Sequence, residues 1–143
     1  MPKMIFVNLP VADVAKSTAF YEAIGARKEA RFSNEVTSMM CFSDTIAIML
    51  LNHARFRDFT PKAIVDARSG TEVLLALSQD SRAAVDAIMD KAIAAGSAKD
   101  FRPAEDHGFM YGRSIEDPDG HVLEFVWMDV DAAMAGTNAP AAA

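Results

Sequence analysis

The chain has 143 residues, enough for one domain of ordinary size or two closely joined half-domains, and its 51% hydrophobic and 24% charged residues exclude disorder and fibrous repeats. Fourteen Lys and Arg against twenty Asp and Glu give a formal charge of −6, and the basic residues are scattered without forming a stripe, which speaks against a nucleic-acid partner. The longest apolar runs, such as Ile46 to Leu51, are too short to cross a bilayer, and Met1-Pro2-Lys3 leads straight into a strand-like segment unlike a signal peptide; no membrane is expected, and the expected compartment is the cytoplasm.

Ile5 to Leu9 reads as a short strand, followed by Pro10 and by Asp13, whose carboxylate suits a helix N-terminus. The helix carries Val14, Ser17, Phe20, Tyr21 and Ile24 on one face and stops at Gly25. Strands are predicted at about 26–32, 36–42 and 45–52, separated by Ser33-Asn34 and Ser43-Asp44. The single cysteine, Cys41, lies in the apolar run Met39-Met40-Cys41-Phe42 and is expected to be a packed thiol. Residues 53–70 are charged, contain Phe56, Phe59 and Pro61, and read as a crossing linker with a short helix.

The same order then returns. A strand is predicted at 71–78 and a helix at 81–95, carrying Val85, Ile88, Met89 and Ala92 and stopped by Gly96. A weak strand follows near 98–102, then strands at 108–116 and 121–128 around Asp117-Pro118-Asp119-Gly120. The chain is therefore an internally duplicated α+β domain over residues 1–128, with modules at about 3–52 and 71–128, linker 53–70 and an Ala-rich tail at 129–143 read as a short frayed helix.

Two motifs carry a family resemblance. They are Leu9-x-Val11-x-Asp13-x-x-x-Ser17-x-x-Phe20-Tyr21-x-x-x-Gly25 and Asp117-Pro118-Asp119-Gly120-His121-x-x-Glu124, one opening the first half and the other closing the second. With the duplicated order, the sequence resembles the glyoxalase, bleomycin-resistance and extradiol-dioxygenase (vicinal oxygen chelate) superfamily over about residues 3–128. Phe6-Val7-Asn8-Leu9-Pro10-Val11 is most similar to the branch loosely named predicted lactoylglutathione lyases. The resemblance implies two βαβββ modules forming a curved mixed sheet with helices on its outer face, a homodimer, and a pocket on the concave side. It also places the four metal-ligand positions of metal-dependent members on Phe6, Met49, Glu72 and Glu124. A phenyl ring and a thioether do not suit Mg, Mn, Ni or Zn, so no cofactor is predicted, and a divalent metal would have Glu72 and Glu124 alone.

Alternation along the strands then places Tyr111 and Arg113 with Glu124 if a loop of four residues, or of two, joins the last two strands; Leu123, Phe125 and Trp127 fall on the helix-packed side. Arg113 either neutralises the carboxylates or binds an anionic ligand while a glutamate moves a proton. Glu124 is the candidate base, and Phe6, Met49, Glu72, Tyr111 and Arg113 are the candidate ligand-binding residues. Leu51, Leu74 and Val126 could extend an apolar cavity suited to a small organic molecule. His53 and His107 share the pocket parity and stand as alternative rim ligands or loop histidines, with His121 read as a turn residue. Phe56 and Phe59 are either a lid or linker anchors. The functional expectation is a small-molecule-binding protein of this superfamily without the four-ligand metal site; the alternatives are a metal-dependent lyase or isomerase of the lactoylglutathione lyase type and a drug-sequestering resistance protein.

Overall fold

The computed structural model describes residues 2–137. Strand β1 (Ile5–Val11) enters helix α1 (Val14–Ala23), and β2 (Arg27–Lys28), β3 (Thr37–Cys41) and β4 (Ile46–Asn52) complete the first module. A short helix, α2 (His53–Arg57), opens the linker. The second module runs through β5 (Leu74–Ser78), α3 (Arg82–Ala94), β6 (Glu105–Asp106), β7 (Met110–Glu116) and β8 (Val122–Met128), and α4 (Val130–Thr137) follows. Each module makes its own four-stranded mixed sheet, ordered β1-β4-β3-β2 and β5-β8-β7-β6, with the first strand parallel to the last and the others antiparallel. The duplicated α+β architecture expected from the sequence is thus present as two separate sheets.

The helices α1 and α3 each start from a side-chain cap. Asp13 accepts from the Lys16 backbone N–H at 3.0 Å, and Ser81 accepts from Ala84 at the same distance. Gly25, with φ of +101°, ends the first helix in a conformation that L side chains rarely adopt.

The structure shortens three predicted strands. The segment 26–32 pairs only at Arg27 and Lys28, because the Glu29 carboxylate caps a 3-10 turn at Ala30–Phe32, accepting the Arg31 N–H at 3.3 Å. Residues 98–102 form no strand; Phe101 donates once to the Ser114 carbonyl, and pairing starts at Glu105 instead. The strand predicted from Thr71 begins at Leu74. The end of the expected tail, 138–143, lies outside the described residues.

One core serves both modules. Phe20, Tyr21 and Ile24 of α1, Val85, Met89 and Ala92 of α3, and the helix-facing strand residues Leu9, Met40, Ile48, Leu50, Ile115, Leu123 and Phe125 form a single buried cluster. Burying these side chains is the main favourable term holding the modules together.

A polar lock crosses the same boundary. Tyr21 donates to Asp117 Oδ2 at 2.8 Å, Ser17 Oγ to Asp119 Oδ2 at 3.1 Å, and the Ala12 N–H to Asp119 Oδ1 at 2.8 Å. His121 Nε2 donates to the Pro10 carbonyl at 2.8 Å. Asp-Pro-Asp-Gly is therefore a turn whose two carboxylates also reach back into the first module. Burial holds the Asp117 carboxyl above its ordinary range and the Tyr21 phenol well above its own. Among the described residues no helix is long and apolar enough to cross a membrane.

Candidate functional site

With the odd-numbered residues of β1 packed on the helices, the even-numbered ones face away from them. The ladder places Phe6 beside Ala47, Asn8 beside Met49, and Met39 across from Met49, so these residues share the open face of the first sheet. Phe6 is 50% exposed there. Phe6, Asn8, Met39 and Met49, together with Met4, Phe32, Cys41 and a polar rim, line a groove of about 580 Å3. Phe6 and Met49, two of the expected ligand-binding residues, both line this groove. Cys41 is half-buried and lines this groove, so it is less enclosed than expected.

The rim was not read from the sequence. Arg27 and Arg31 each donate to the Glu29 carboxylate, at 3.0 and 2.7 Å, and the two guanidiniums, Arg31 foremost, lower its pKa to about 2. The alternation Arg27-x-Glu29-x-Arg31 was the available signal, but the 3-10 turn that brings the three together was not foreseen.

The open face of the second sheet carries Met110, Gly112, Ser114, Glu124 and Val126, which line a recess of about 120 Å3 with Arg102, Pro103 and Glu105. Glu124 stands directly across the ladder from Ser114, and its carboxylate lies 3.9 Å from Arg102 Nη2. Neither Ser114 nor Arg102 was singled out in the sequence.

Two expected pocket residues point the other way. The ladder pairs Glu116 with Val122, leaving the five residues 117–121 in the loop; this odd count reverses the predicted parity and sets Arg113 beside Phe125 and Tyr111 beside Trp127. On that helix-packed face Arg113 donates from Nε and Nη2 to Asp100, at 2.9 and 2.8 Å, and from Nη1 to Asp86 at 2.9 Å. The Tyr111 hydroxyl donates to Asp86 at 2.7 Å. Hydrogen bonding to Asp100 raises the Arg113 pKa, and that to Asp86 raises the Tyr111 pKa. Arg113 does neutralise carboxylates in a network, as one of its two readings held, but these are Asp86 and Asp100.

Glu72 also departs from its expected place. Counted from the two N-caps, Asp13 and Ser81, Phe6 corresponds to Leu74 and Asn8 to Ala76; Ala76 is the residue beside Glu124 in the ladder. Glu72 precedes β5, is exposed, and lines a different cleft of about 600 Å3 between β1 and the linker, with Phe56, Lys62 and His121 among its neighbours. The four expected ligand positions therefore offer a phenyl ring, a thioether and two carboxylates in separate places, and this donor set does not fit a four-ligand divalent site.

The histidines are accounted for by local structure. His53 is exposed at the first turn of α2, and His107 stacks near Phe109 with Nε2 3.9 Å from Glu105. Phe59 is exposed beneath the Arg55 guanidinium, whereas Phe56 is half-buried in the Glu72 cleft.

Two mixed βαβββ modules sharing one helix-side core, with a recess on the open face of each sheet, define a paired-module α+β protein. The family model described as Glyoxalase/Bleomycin resistance protein/Dioxygenase superfamily matches residues 3–125, and the chain belongs to this superfamily. No functionally curated protein matches the sequence. Among solved structures, a hypothetical protein from S. aureus is similar with a TM-score of 0.74 and 23% identity, over 89% of this chain and 94% of that one. A glyoxalase-related enzyme from Fulvimarina pelagi gives 0.73 and 21%, over 89% and 88%. A glyoxalase/bleomycin resistance protein/dioxygenase family enzyme from Burkholderia phytofirmans PsJN gives 0.72 and 19%, over 89% and 99%. These likenesses establish the fold.

Proposed function

We propose that this protein binds a small, largely apolar organic molecule on the open face of its first sheet, without the four-ligand divalent metal site of metal-dependent relatives. The observation that carries the reading is the half-exposed Phe6 ring in a groove of about 580 Å3 floored by the soft side chains Met39, Met49 and Cys41. An aromatic ring and adaptable thioethers favour apolar ligands by area burial and by sulfur–aromatic contact. The Arg27–Glu29–Arg31 cluster keeps one wall polar and so orients the ligand.

The test is fluorescence titration with the neutral apolar dye N-phenyl-1-naphthylamine in the presence of EDTA. Saturable binding that falls at least about tenfold in Met49→Asp, with the variant still folded, supports the reading, since a carboxylate on the apolar floor is costly to desolvate. Binding that depends on added Mg2+, Mn2+, Ni2+ or Zn2+ contradicts it.

The protein would act in the cytoplasm as a homodimer. The exposed apolar side chains Leu74 and Met128 of the second sheet support self-association, because a second copy would remove them from water. A second reading, proton transfer by Glu124 to or from a small carbonyl compound, draws on that carboxylate's partial burial with no hydrogen-bond donor among the described residues. It predicts that turnover is lost in Glu124→Gln while ligand binding survives.

A further inference from the structure

We infer that the recess around Glu124 and Ser114 is a binding site for a primary ammonium group carried on an apolar stem. Two neighbouring polar groups there lack the partners that partly buried groups normally have. The Ser114 residue is 2% exposed, and its Oγ is buried with no hydrogen-bond partner among the described residues. The Glu124 side chain is 17% exposed and receives no hydrogen bond within the described residues; its ion-pair partner, Arg102 Nη2, is 3.9 Å away, beyond hydrogen-bond reach.

Arg102 does not complete the site. Its Nη1 is committed to Glu105 at 2.8 Å, so two carboxylates share one guanidinium and the recess carries an excess negative charge. The guanidinium of Arg113, although its residue lines the recess, is turned to Asp100 and Asp86 on the opposite face. A donor entering between Glu124 and Ser114 would satisfy both: the carboxylate accepts a charge-assisted hydrogen bond, and the hydroxyl accepts a second.

Size narrows the donor. A volume of about 120 Å3 takes an ammonium and a short apolar stem and is too small for a drug-sized ligand. Met110, Pro103 and Val126 line the same recess and offer apolar contact to the stem that leaves it. An anion would face Glu105 and Glu124, and a neutral hydroxyl would leave the charge of Glu124 unmet. The site lies on the second sheet and does not require occupancy of the first-sheet groove.

The test is amide chemical-shift titration of the full 15N-labelled chain at pH 7 with benzylammonium chloride, benzyl alcohol and sodium benzoate. Benzylammonium is expected to move the amides of 110–114 and 124–126 at lower concentration than benzyl alcohol, with benzoate leaving them in place. Glu124→Gln should abolish the preference for ammonium over alcohol, a change of about tenfold. Ser114→Ala should weaken benzylammonium about threefold while leaving Tm unchanged or higher, because no internal hydrogen bond is lost. Ser114→Cys, similar in size but a weak hydrogen-bonding partner, should weaken it likewise. Unchanged affinity in both Ser114 variants, a lowered Tm in Ser114→Ala, equal response to benzoate, or tighter binding of Mg2+ than of benzylammonium would each overturn the assignment. Shifts confined to this recess, with no dye binding in the groove, would support it while defeating the function proposed above.

Discussion

The Tyr21 hydroxyl donates to Asp117 Oδ2 at 2.8 Å, tying the first module's helix to the second module's hairpin across 96 positions of sequence. The two groups are buried, so the Tyr21 hydroxyl depends on Asp117 for a partner that water cannot supply, while Asp117 Oδ1 also accepts the Asp119 and His121 N–H groups. Tyr21→Phe is expected to lower stability by about 1–3 kcal/mol in urea unfolding at pH 7. The pH dependence has a defined sign. Burial raises the folded-state pKa of Asp117, so ionising it costs stability above that value, and the cost is relieved as pH falls through it. The Tyr21 bond stabilises the ionised form, and the deficit of Tyr21→Phe should therefore shrink as pH falls through that value. A deficit that grows in that window would contradict the lock.

Gly120 adds a steric condition to the same turn. Its φ is +92°, and a Cβ there would lie 2.9 Å from the Arg68 backbone N and 2.8 Å from Arg68 Cγ. The linker is held at this point because Arg68 Nη2 donates to the Pro118 carbonyl. Gly120→Ala is expected to cost about 1–3 kcal/mol in strain and to loosen the linker. Thermal unfolding measures the first effect; faster amide exchange at 66–70 measures the second.

Arg113 is placed here in a structural network with Asp86 and Asp100. Arg113→Met should destabilise the fold by about 1–3 kcal/mol, with dye affinity unchanged. Loss of dye affinity without loss of stability would return Arg113 to the pocket.

Glu29 carries the acid limb of the groove wall. Its folded pKa is lowered from 4.5 to about 2 by Arg31 and Arg27, so the stability it contributes is present above pH 4.5 and is lost as pH falls toward 2. The Tm difference between the native chain and Glu29→Gln should therefore be largest near neutrality and fall across that interval. A difference independent of pH would show that the ion pairs stabilise nothing.

Much of this was legible because periodicity and caps are local. Ser17, Phe20, Tyr21 and Ile24 recur at helical spacing and pack where that spacing sends them, and Asp13 with Gly25 bounds their helix. Phe6 and Met49 were placed by the family resemblance, and β1 and β4 carry both on the open face of the first sheet. Arg113 and Tyr111 were misplaced because parity across a hairpin depends on the loop count, and one additional loop residue inverts every side chain beyond it. Glu72 was misplaced because the second module's first strand starts later than its sequence suggests, so Leu74 and Ala76 take the corresponding positions. Arg102 and Ser114 carry no local signal at all; they meet Glu124 only through tertiary packing and strand pairing.

Binding of an apolar ligand on the first sheet's open face without a metal is tested most directly by the nine methionines. Met4, Met39 and Met49 line the groove, whereas Met40 and Met89 are fully buried in the helix-side core. With 13C-methyl-labelled methionine and N-phenyl-1-naphthylamine in EDTA, the methyl signals of Met4, Met39 and Met49 are expected to shift together and saturably while those of Met40 and Met89 stay in place. Silence of the three groove methyls at saturating dye, or their response only after a divalent metal is added, would contradict it.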